Sequence, residues 1–299
     1  MATLSAWGPA GSAQAANRAP VTPAGFRLAG TDPSQSHPIR FWLLGDSVMH
    51  DAAPAVTAAL DATGEATVVA NSTFGGWGLT TQLAWVRDSQ QIIETYHPQV
   101  VVGTWSWDDT LAGDDPSLYA SLLRQALEVW LAPGDGIQLV VLVQFPPVGP
   151  NTYIPATTRR IKSWTEVSQE QDEWDHIAQS MVRVFPGHAA YLSTSQVFAP
   201  GGRFLTWTRS VTGKWVRIRQ LDNAHLCPYG AAEMGQLVID DLQPMLGLPT
   251  PQPGWQDGSW SGDEQFNIGI GGPGACPVDQ PPLPGYDGLL VPPLPAQLR

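Results

Sequence analysis

Two short segments carry side chains whose types and spacing suit acyl-transfer chemistry. In the first, an apolar run at 41–44 stops at Gly45-Asp46-Ser47, and a helical pattern starts directly after it. A serine at the start of a helix lies among free backbone N–H groups and at the positive end of the helix dipole, so an oxyanion beside it would be stabilised. The position suits a nucleophile. Asp46 and Ser47 are also ordinary helix N-caps, which is the competing interpretation.

The second segment is Asp222-Asn223-Ala224-His225, which places a carboxylate three residues before a histidine in a loop that enters the last predicted helix. In such a loop Asp222 can turn toward the imidazole and fix its tautomer through Nδ1–H. Nε2 is then left to take a proton from a serine hydroxyl. The same spacing also suits a capping aspartate beside a surface histidine, so the interpretation depends on what the fold brings together.

Short apolar runs alternate with helical periods along residues 39–246. Runs rich in Val, Leu and Ala are typical of strands covered on both faces. The alternation predicts an α/β protein, a three-layer α/β/α sandwich with a central parallel sheet of five strands. The predicted strands are 41–44, 66–70, 100–103, 137–143 and 189–192, and the predicted helices run from Ser47 to Gly64 and over 80–96, 116–132, 165–184 and 228–246.

Three stretches fall outside this alternation. Residues 204–220 predict a β-hairpin that turns at 211–213, directly before the Asp222 segment. Residues 1–38 are rich in Ala, Gly, Pro and Ser and predict a disordered or loosely packed leader or linker. Residues 247–299 predict a Pro- and Gly-rich extension that wraps the surface as coil or stays partly loose. The predicted organisation is therefore one domain at 39–246 between two irregular segments.

Composition argues against several classes of partner and cofactor. With 27 acidic and 15 basic residues the formal net charge is -12, which disfavours nucleic acid and acidic membranes, because phosphate binding needs clustered Lys and Arg. No run of 18 apolar residues is present to span a membrane. No metal site and no cofactor are predicted, because four histidines lack carboxylate or cysteine partners at ligand spacing. These are His50, His97, His176 and His188.

The leader also bears on where the protein works. Residues 2–16 are small and apolar and contain Ala13-Gln14-Ala15, as at the end of an export signal or just past one. This predicts an exported, extracytoplasmic or cell-envelope protein. A disordered Ala/Gly/Pro leader is the alternative.

Taken together, the ordered blocks at the predicted strand ends resemble the SGNH (GDSL-type) hydrolase and acyltransferase family over about residues 39–246. The resemblance implies a flavodoxin-like fold in which this domain is catalytic, with Ser47 as nucleophile, His225 as general base and then acid, and Asp222 orienting the imidazole. The blocks are Gly45-Asp46-Ser47 after the first strand, Asn71 and Gly76 after the second, the loop 104–109 after the third, and Asp222-x-x-His225 before the last helix.

The resemblance also implies an oxyanion hole. Its donors would be the backbone N–H groups of Ser47 and Gly76, with Gly78 as the competing alignment. The family usually supplies a third donor from an Asn in Gly-x-Asn-Asp, whereas here Trp105-Ser106 follows Gly103-Thr104. Either Ser106, the Trp105 indole or a backbone N–H replaces the Asn, or the hole has two donors. Loss of one donor costs about two to three orders of magnitude in rate, which would suit a slow or selective enzyme.

The Trp- and acid-rich loop is similar to that of SGNH domains that belong to, or work with, bacterial membrane O-acyltransferases that modify cell-envelope sugars. The implied activity is a serine esterase or O-acyltransferase acting on an ester of a cell-envelope carbohydrate or glycolipid, with a membrane O-acyltransferase as a partner. The missing Asn leaves a second interpretation, a catalytically weak carbohydrate-binding or scaffolding module with the same fold. The residues expected to contact substrate are Trp77, Trp105, Trp107 and Asp108.

Cys227 and Cys276 are the two cysteines of the chain. In an exported protein they would form one disulfide that closes a loop of roughly fifty residues and pins the extension beside His225. Two free buried thiols are the alternative that the sequence leaves open.

Overall fold

A computed structural model describes residues 28, 33–75, 78–79, 85–104, 115–134, 136–150, 163–262, 266, 274–277, 281–282 and 284–290. Within these residues, five parallel strands form a central sheet in the order β2-β1-β3-β4-β5, which is the flavodoxin-like order. The strands are β1 (Ile39–Gly45), β2 (Ala66–Thr73), β3 (Val100–Thr104), β4 (Leu139–Val143) and β5 (Ala189–Leu192).

Helices cover both faces of this sheet, so the predicted three-layer sandwich is confirmed. Alternate residues of β1 show the two-sided burial: Phe41 and Leu43 pack with α1 and α6 on one face, and Trp42 and Leu44 pack with the core that contains α3 and α4 on the other. The helices are α1 (Ser47–Asp61), α2 (Trp85–Tyr96), α3 (Pro116–Trp130), α4 (Trp164–Val184), the short α5 (Ser195–Phe198) and α6 (Pro228–Leu246).

Several element boundaries differ from the sequence prediction by a few residues; β4 begins at Leu139 and not at 137, and α1 ends at Asp61 and not at Gly64. The apolar run of the second strand ends at Ala70, but β2 continues to Thr73 because its backbone still pairs with β1 as far as Gly45. Helix α3 ends at Trp130, two residues before the predicted end, with Leu131 as its C-cap at φ -96° and ψ 14°. Pro133 then disfavours helical backbone at Ala132, so the helix does not resume.

The predicted hairpin is present as β7 (Trp207–Arg209) and β8 (Trp215–Arg217), which pair antiparallel. It follows the two-residue strand β6 (Arg203–Phe204) and leads directly into the Asp222 loop. The hairpin is therefore part of the connection between β5 and that loop.

The described parts of the C-terminal extension are coil-rich but fastened to the domain. Trp255 and Phe266 are buried in the same core cluster as α1 and α6. The strand β9 (Leu289–Leu290) pairs antiparallel with β6, and the Tyr286 hydroxyl accepts a hydrogen bond from the Thr206 N–H at 2.7 Å. Leu28, from the N-terminal segment, is buried in that core too.

None of the helices in the described part of the chain combines the length and the hydropathy needed to span a bilayer.

A buried carboxyl on α4 makes stability depend on pH. Asp175 accepts a hydrogen bond from Gln144 Nε2 at 2.5 Å, and burial raises its pKa from the ordinary 3.8 to about 7. The unfolded chain releases this proton near pH 4, whereas the folded protein keeps it to near pH 7, so stability falls as the pH rises through this window. Asp51 and Glu233 shift in the same direction, each to about 7 because of burial.

We therefore expect the free energy of unfolding to be lower at pH 8 than at pH 5, by an amount on the order of a few kcal/mol. Asp175→Asn, which carries no charge at either pH, should flatten this dependence and raise stability at pH 8. Urea unfolding at pH 5, 6, 7 and 8 measures the effect. Ser180→Ala, a neutral change on the same helix, serves as the control and should leave the pH slope of the wild type. An equal slope in Asp175→Asn would contradict the assignment.

Candidate active site

Ser47 is the first residue of α1, and the residue before it caps the helix. Asp46 Oδ1 accepts hydrogen bonds from the backbone N–H groups of Val48 at 3.0 Å and Met49 at 3.3 Å. Because Asp46 does the capping, the Ser47 hydroxyl is not needed for it. The sequence left open whether Ser47 is a helix cap or a candidate nucleophile, and the structure assigns the cap to Asp46.

Gly45 allows the end of β1 to meet the end of β3. Its φ is +153°, and a Cβ at this position would lie 2.0 Å from the carbonyl oxygen of Thr104. The next residue, Asp46, donates its backbone N–H to that same oxygen at 2.9 Å. The position of Ser47 is therefore set by a contact between two strands that only glycine permits.

The Asp222 loop folds back on itself through its own carboxylate. Asp222 Oδ1 accepts hydrogen bonds from the backbone N–H groups of Ala224 and His225, both at 3.0 Å. Asn223, which lies between Asp222 and Ala224, has φ of +60°, and its side chain donates to the Pro150 carbonyl at 2.7 Å. Asparagine tolerates this left-handed conformation better than most residues, so the local sequence favours the turn.

This loop and the start of α1 bring three side chains into one hydrogen-bonded chain. His225 Nδ1 lies 2.5 Å from Asp222 Oδ2, and His225 Nε2 lies 2.7 Å from Ser47 Oγ, although the serine and the histidine are 178 residues apart in sequence. All three residues are buried, with the serine and the aspartate 9% exposed. The arrangement can move a proton from a hydroxyl to an imidazole whose other nitrogen is held by a carboxylate.

The surroundings of Asp222 keep it ionised. Burial by itself would raise its pKa, but the hydrogen bond and charge of His225 and the two backbone N–H groups hold the pKa below the ordinary value. A carboxylate in this state can fix the imidazole tautomer and stabilise an imidazolium that forms next to it.

A glycine that the motif alignment does not single out lies beside the serine. A Cβ on Gly75 would be 3.8 Å from the Ser47 Cβ, and the preceding Phe74 donates its N–H to the Gly45 carbonyl at 2.9 Å. The motif alignment points instead to Gly76, with Gly78 as the competing choice because residues 78–81 can also be aligned. Because Gly75 and Gly76 are consecutive, the register of the alignment is uncertain by one residue, and this pair is the sequence signal that could have indicated Gly75.

Several predicted site residues lie outside the described residues, so their roles in the oxyanion hole and in substrate contact stay predictions. Gly78 is described and is buried. Asn71, after the second strand, accepts hydrogen bonds from the backbone N–H of Thr73 at 3.2 Å and from its hydroxyl at 2.7 Å. The predicted residues outside the described part are Gly76, Trp77, Trp105, Ser106, Trp107 and Asp108.

No group of three or more His, Cys, Asp or Glu side chains within the described ranges is arranged to hold a metal ion.

The C-terminal extension is tied to the loop 222–225 on both of its sides. Cys227 and Cys276 form a disulfide with their Cα atoms 5.7 Å apart, and Cys227 is the N-cap residue of α6, two residues after His225. On the other side, the N–H of Leu221 donates to the carbonyl of Ala275 at 2.9 Å. Residues 275–276 therefore brace the loop that carries the aspartate and the histidine.

We expect Cys276→Ser to lower the free energy of unfolding by about 2 to 4 kcal/mol, because the disulfide closes a long loop and restricts the unfolded chain. Urea unfolding without reductant measures the loss. Cys227→Ser and the double variant should lose the same amount, since each removes one and the same bond. Additive losses, or a stable single variant, would contradict this account.

Comparison with solved structures supports the fold, whereas comparison of sequences finds no match. No protein-family model matches the chain, and no curated protein matches it in sequence. Among solved structures, the periplasmic domain of a lipopolysaccharide acetyltransferase from Salmonella ser. Paratyphi A is 16% identical and superposes with a TM-score of 0.50, over 69% of this chain and 84% of that one.

Two further solved structures resemble the chain more distantly. A GDSL-like lipase from Bacteroides thetaiotaomicron is 14% identical with a TM-score of 0.47, over 69% of this chain and 89% of that one. A psychrotrophic esterase from Pseudoalteromonas sp. is 15% identical with a TM-score of 0.44, over 68% and 98%. At such identities the likeness concerns the fold alone, and the predicted flavodoxin-like α/β/α sandwich is confirmed by the strand order of the sheet.

Proposed function

We propose that this protein is a serine esterase or O-acyltransferase that forms an acyl-enzyme on Ser47. The observation that carries the proposal is the continuous chain from Ser47 Oγ through the His225 imidazole to Asp222, with distances of 2.7 Å and 2.5 Å. A nucleophile and a base within hydrogen-bond reach, with the base oriented by a third group, are the requirements of covalent catalysis.

In the first half-reaction, His225 Nε2 accepts the Ser47 proton as Oγ attacks the ester carbonyl carbon. Asp222 stabilises the imidazolium that results. The backbone N–H of Ser47, at the N-terminus of α1, is placed to stabilise the oxyanion. When the tetrahedral intermediate collapses, the C–O bond to the alcohol breaks, and the leaving oxygen takes the proton from Nε2.

In the second half-reaction, an acceptor hydroxyl transfers its proton to His225 Nε2 and attacks the acyl carbon. The Ser47 oxygen leaves and regains the proton. With water as acceptor the product is a carboxylic acid, and with a sugar hydroxyl it is a new ester. The same residues serve both outcomes, so the acceptor is decided by what binds beside Ser47.

We further propose that the substrate is an ester of a cell-envelope carbohydrate or glycolipid, that the protein works outside the cytoplasm, and that a membrane O-acyltransferase is its partner. Two observations support this. The similar Salmonella structure is the periplasmic domain of a lipopolysaccharide acetyltransferase. The Cys227–Cys276 disulfide suits an oxidising compartment.

The direct test is labelling with an active-site serine phosphonate followed by peptide mass spectrometry. We expect one adduct, on Ser47, in the folded protein. Ser47→Ala should give no adduct and should lower turnover of a short-chain aryl acetate about 10³-fold or more. Ser36→Ala, a change at an exposed serine, is the control and should label and turn over as the wild type does.

A folded protein without an adduct and without ester turnover would refute the proposed activity. If such a protein still bound envelope sugars, it would instead be the carbohydrate-binding module that the missing Asn suggests. Retained turnover in Ser47→Ala would place the chemistry elsewhere in the chain.

A further inference from the structure

Two buried charged residues flank the loop that carries His225, and neither takes part in the proton transfers described above. Asp51 is 3% exposed and Arg219 is 0% exposed. One comes from the helix that bears Ser47, and the other from the segment that enters the loop. Each contacts a backbone group next to the histidine.

Asp51 ties the loop to the helix of the nucleophile. It follows Ser47 by four residues on α1, so the two side chains lie on the same face of the helix, one turn apart. Its Oδ2 accepts a hydrogen bond from the backbone N–H of Leu226 at 2.8 Å. The residue directly after His225 is therefore held by the same rigid helix that presents the serine hydroxyl.

Arg219 holds the residue directly before the histidine. Its Nη1 donates to the Ala224 carbonyl at 2.6 Å, and its Nη2 donates to the Pro147 carbonyl at 2.8 Å. The guanidinium also lies over the Phe198 ring, 4.5 Å from its centroid. The planar fork of arginine thus links the His225 loop to the segment that follows β4, and the ring contact fixes the plane of the fork.

The burial of these groups is unfavourable by itself. Burial raises the pKa of Asp51 to about 7 and lowers the pKa of Arg219 to about 9. Hydrophobic residues of similar volume would fill the same space without the desolvation penalty of a charge. Such residues could not accept a hydrogen bond from the Leu226 N–H, and they could not donate to the Ala224 and Pro147 carbonyls. These hydrogen bonds distinguish the two buried residues from side chains that only fill space.

We propose that Asp51 and Arg219 are positioning residues that hold His225 by the backbone on either side of it. With the Leu226 N–H and the Ala224 carbonyl both anchored, the imidazole has little freedom to move Nε2 away from the serine. The expected effect on kcat rests on the proposed function, whereas the expected effect on the position of the imidazole does not.

The kinetic test compares three variants. Asp51→Ala removes the acceptor for the Leu226 N–H and should lower kcat for a short-chain aryl acetate about 10- to 100-fold, with KM within about twofold, because a misplaced base slows chemistry but not binding. Asp51→Asn keeps an oxygen that can accept the same N–H, so it should restore most of kcat. Arg219→Met keeps the volume without the donors and should resemble Asp51→Ala.

Asp175→Ala is the matched control. Asp175 is also buried, at 8% exposed against 3% for Asp51, and its pKa is raised by burial to the same value of about 7. Its hydrogen bond, however, goes to Gln144 and not to the His225 loop. It should lose stability and leave kcat unchanged. Urea unfolding of every variant ensures that all kinetics are measured on folded protein.

A second measurement needs no substrate. The Nδ1 proton of His225, which lies in the hydrogen bond of 2.5 Å between Nδ1 and Asp222 Oδ2, should give a low-field proton NMR signal in the wild type. We expect the signal to broaden or disappear in Asp51→Ala and Arg219→Met, and to persist in Asp51→Asn and Asp175→Ala. Because the signal does not depend on turnover, it remains decisive if the proposed activity fails.

The positioning role is overturned if Asp51→Ala keeps the wild-type kcat and the low-field signal. It is also overturned if Asp175→Ala loses kcat or the signal to the same extent, since the effect would then be general destabilisation. If the wild type turns over no ester, a signal lost in Asp51→Ala and kept in Asp175→Ala supports the role, and any other pattern refutes it.

Discussion

Asp222→Asn should lower kcat/KM for a short-chain aryl ester about 10³- to 10⁴-fold while the fold stays intact. The asparagine Oδ1 can still accept the backbone N–H groups of Ala224 and His225, as Asp222 does at 3.0 Å. Its NH₂ group then faces His225 Nδ1 and requires that nitrogen to be an acceptor. The imidazole proton moves to Nε2, so the ring can no longer take the proton of Ser47.

Steady-state kinetics, with circular dichroism of the variant, measure this effect. Asp287→Asn, which changes an exposed carboxylate that pairs with Arg203 at 3.1 Å, is the control and should keep the wild-type rate. An Asp222→Asn protein as fast as the wild type would remove the aspartate from the mechanism. Retention of phosphonate labelling at the wild-type rate would lead to the same conclusion.

Gly45→Ala should destabilise the protein by about 3 kcal/mol or more, or prevent folding, because two effects combine. The added methyl would lie 2.0 Å from the Thr104 carbonyl oxygen, which is a backbone atom of β3 and cannot rotate away. The φ of +153° is in addition a conformation that residues with a Cβ rarely adopt. Relief of the clash requires that β1 and β3 separate where Ser47 begins.

Urea unfolding followed by tryptophan fluorescence measures the loss. Gly134→Ala separates the two causes, because its φ is +100° but a Cβ there meets nothing within 4 Å. It should be destabilised by about 1 kcal/mol from the backbone term alone. Equal losses in the two variants would show that the contact with Thr104 is unimportant. Any folded Gly45→Ala protein should also react with the phosphonate more slowly, because its serine is displaced.

Much of the fold can be predicted from the sequence because it depends on local patterns. Runs such as 139–143 are apolar at every position, and the five strands and the helices between them follow from these runs and from helical spacing. The strand end at Ser47 and the Asp222-x-x-His225 spacing are local too. Their meeting at one edge follows from the rule that parallel strands end together.

Other features depend on contacts between distant segments and could not be predicted from local patterns. Asp51 has the appearance of an ordinary polar residue on a helix, and Arg219 that of a charged residue near a hairpin. Both become buried because the loop before α6 folds onto α1 and onto the segment after β4. Gly75 likewise acquires its place beside Ser47 only through the pairing of β2 with β1.

The segment Gly45-Asp46-Ser47 has features of both kinds, some set by neighbouring residues and some set by contacts between distant segments. The sequence by itself determined that a strand ends and a helix starts there, because hydrophobic period and capping chemistry are properties of neighbouring residues. Only the tertiary structure decided that Asp46 is the cap and that Ser47 Oγ lies 2.7 Å from His225 Nε2. That distance depends on how β3, the loop 222–225 and α6 pack against α1, and packing over such separations leaves no local pattern in the chain.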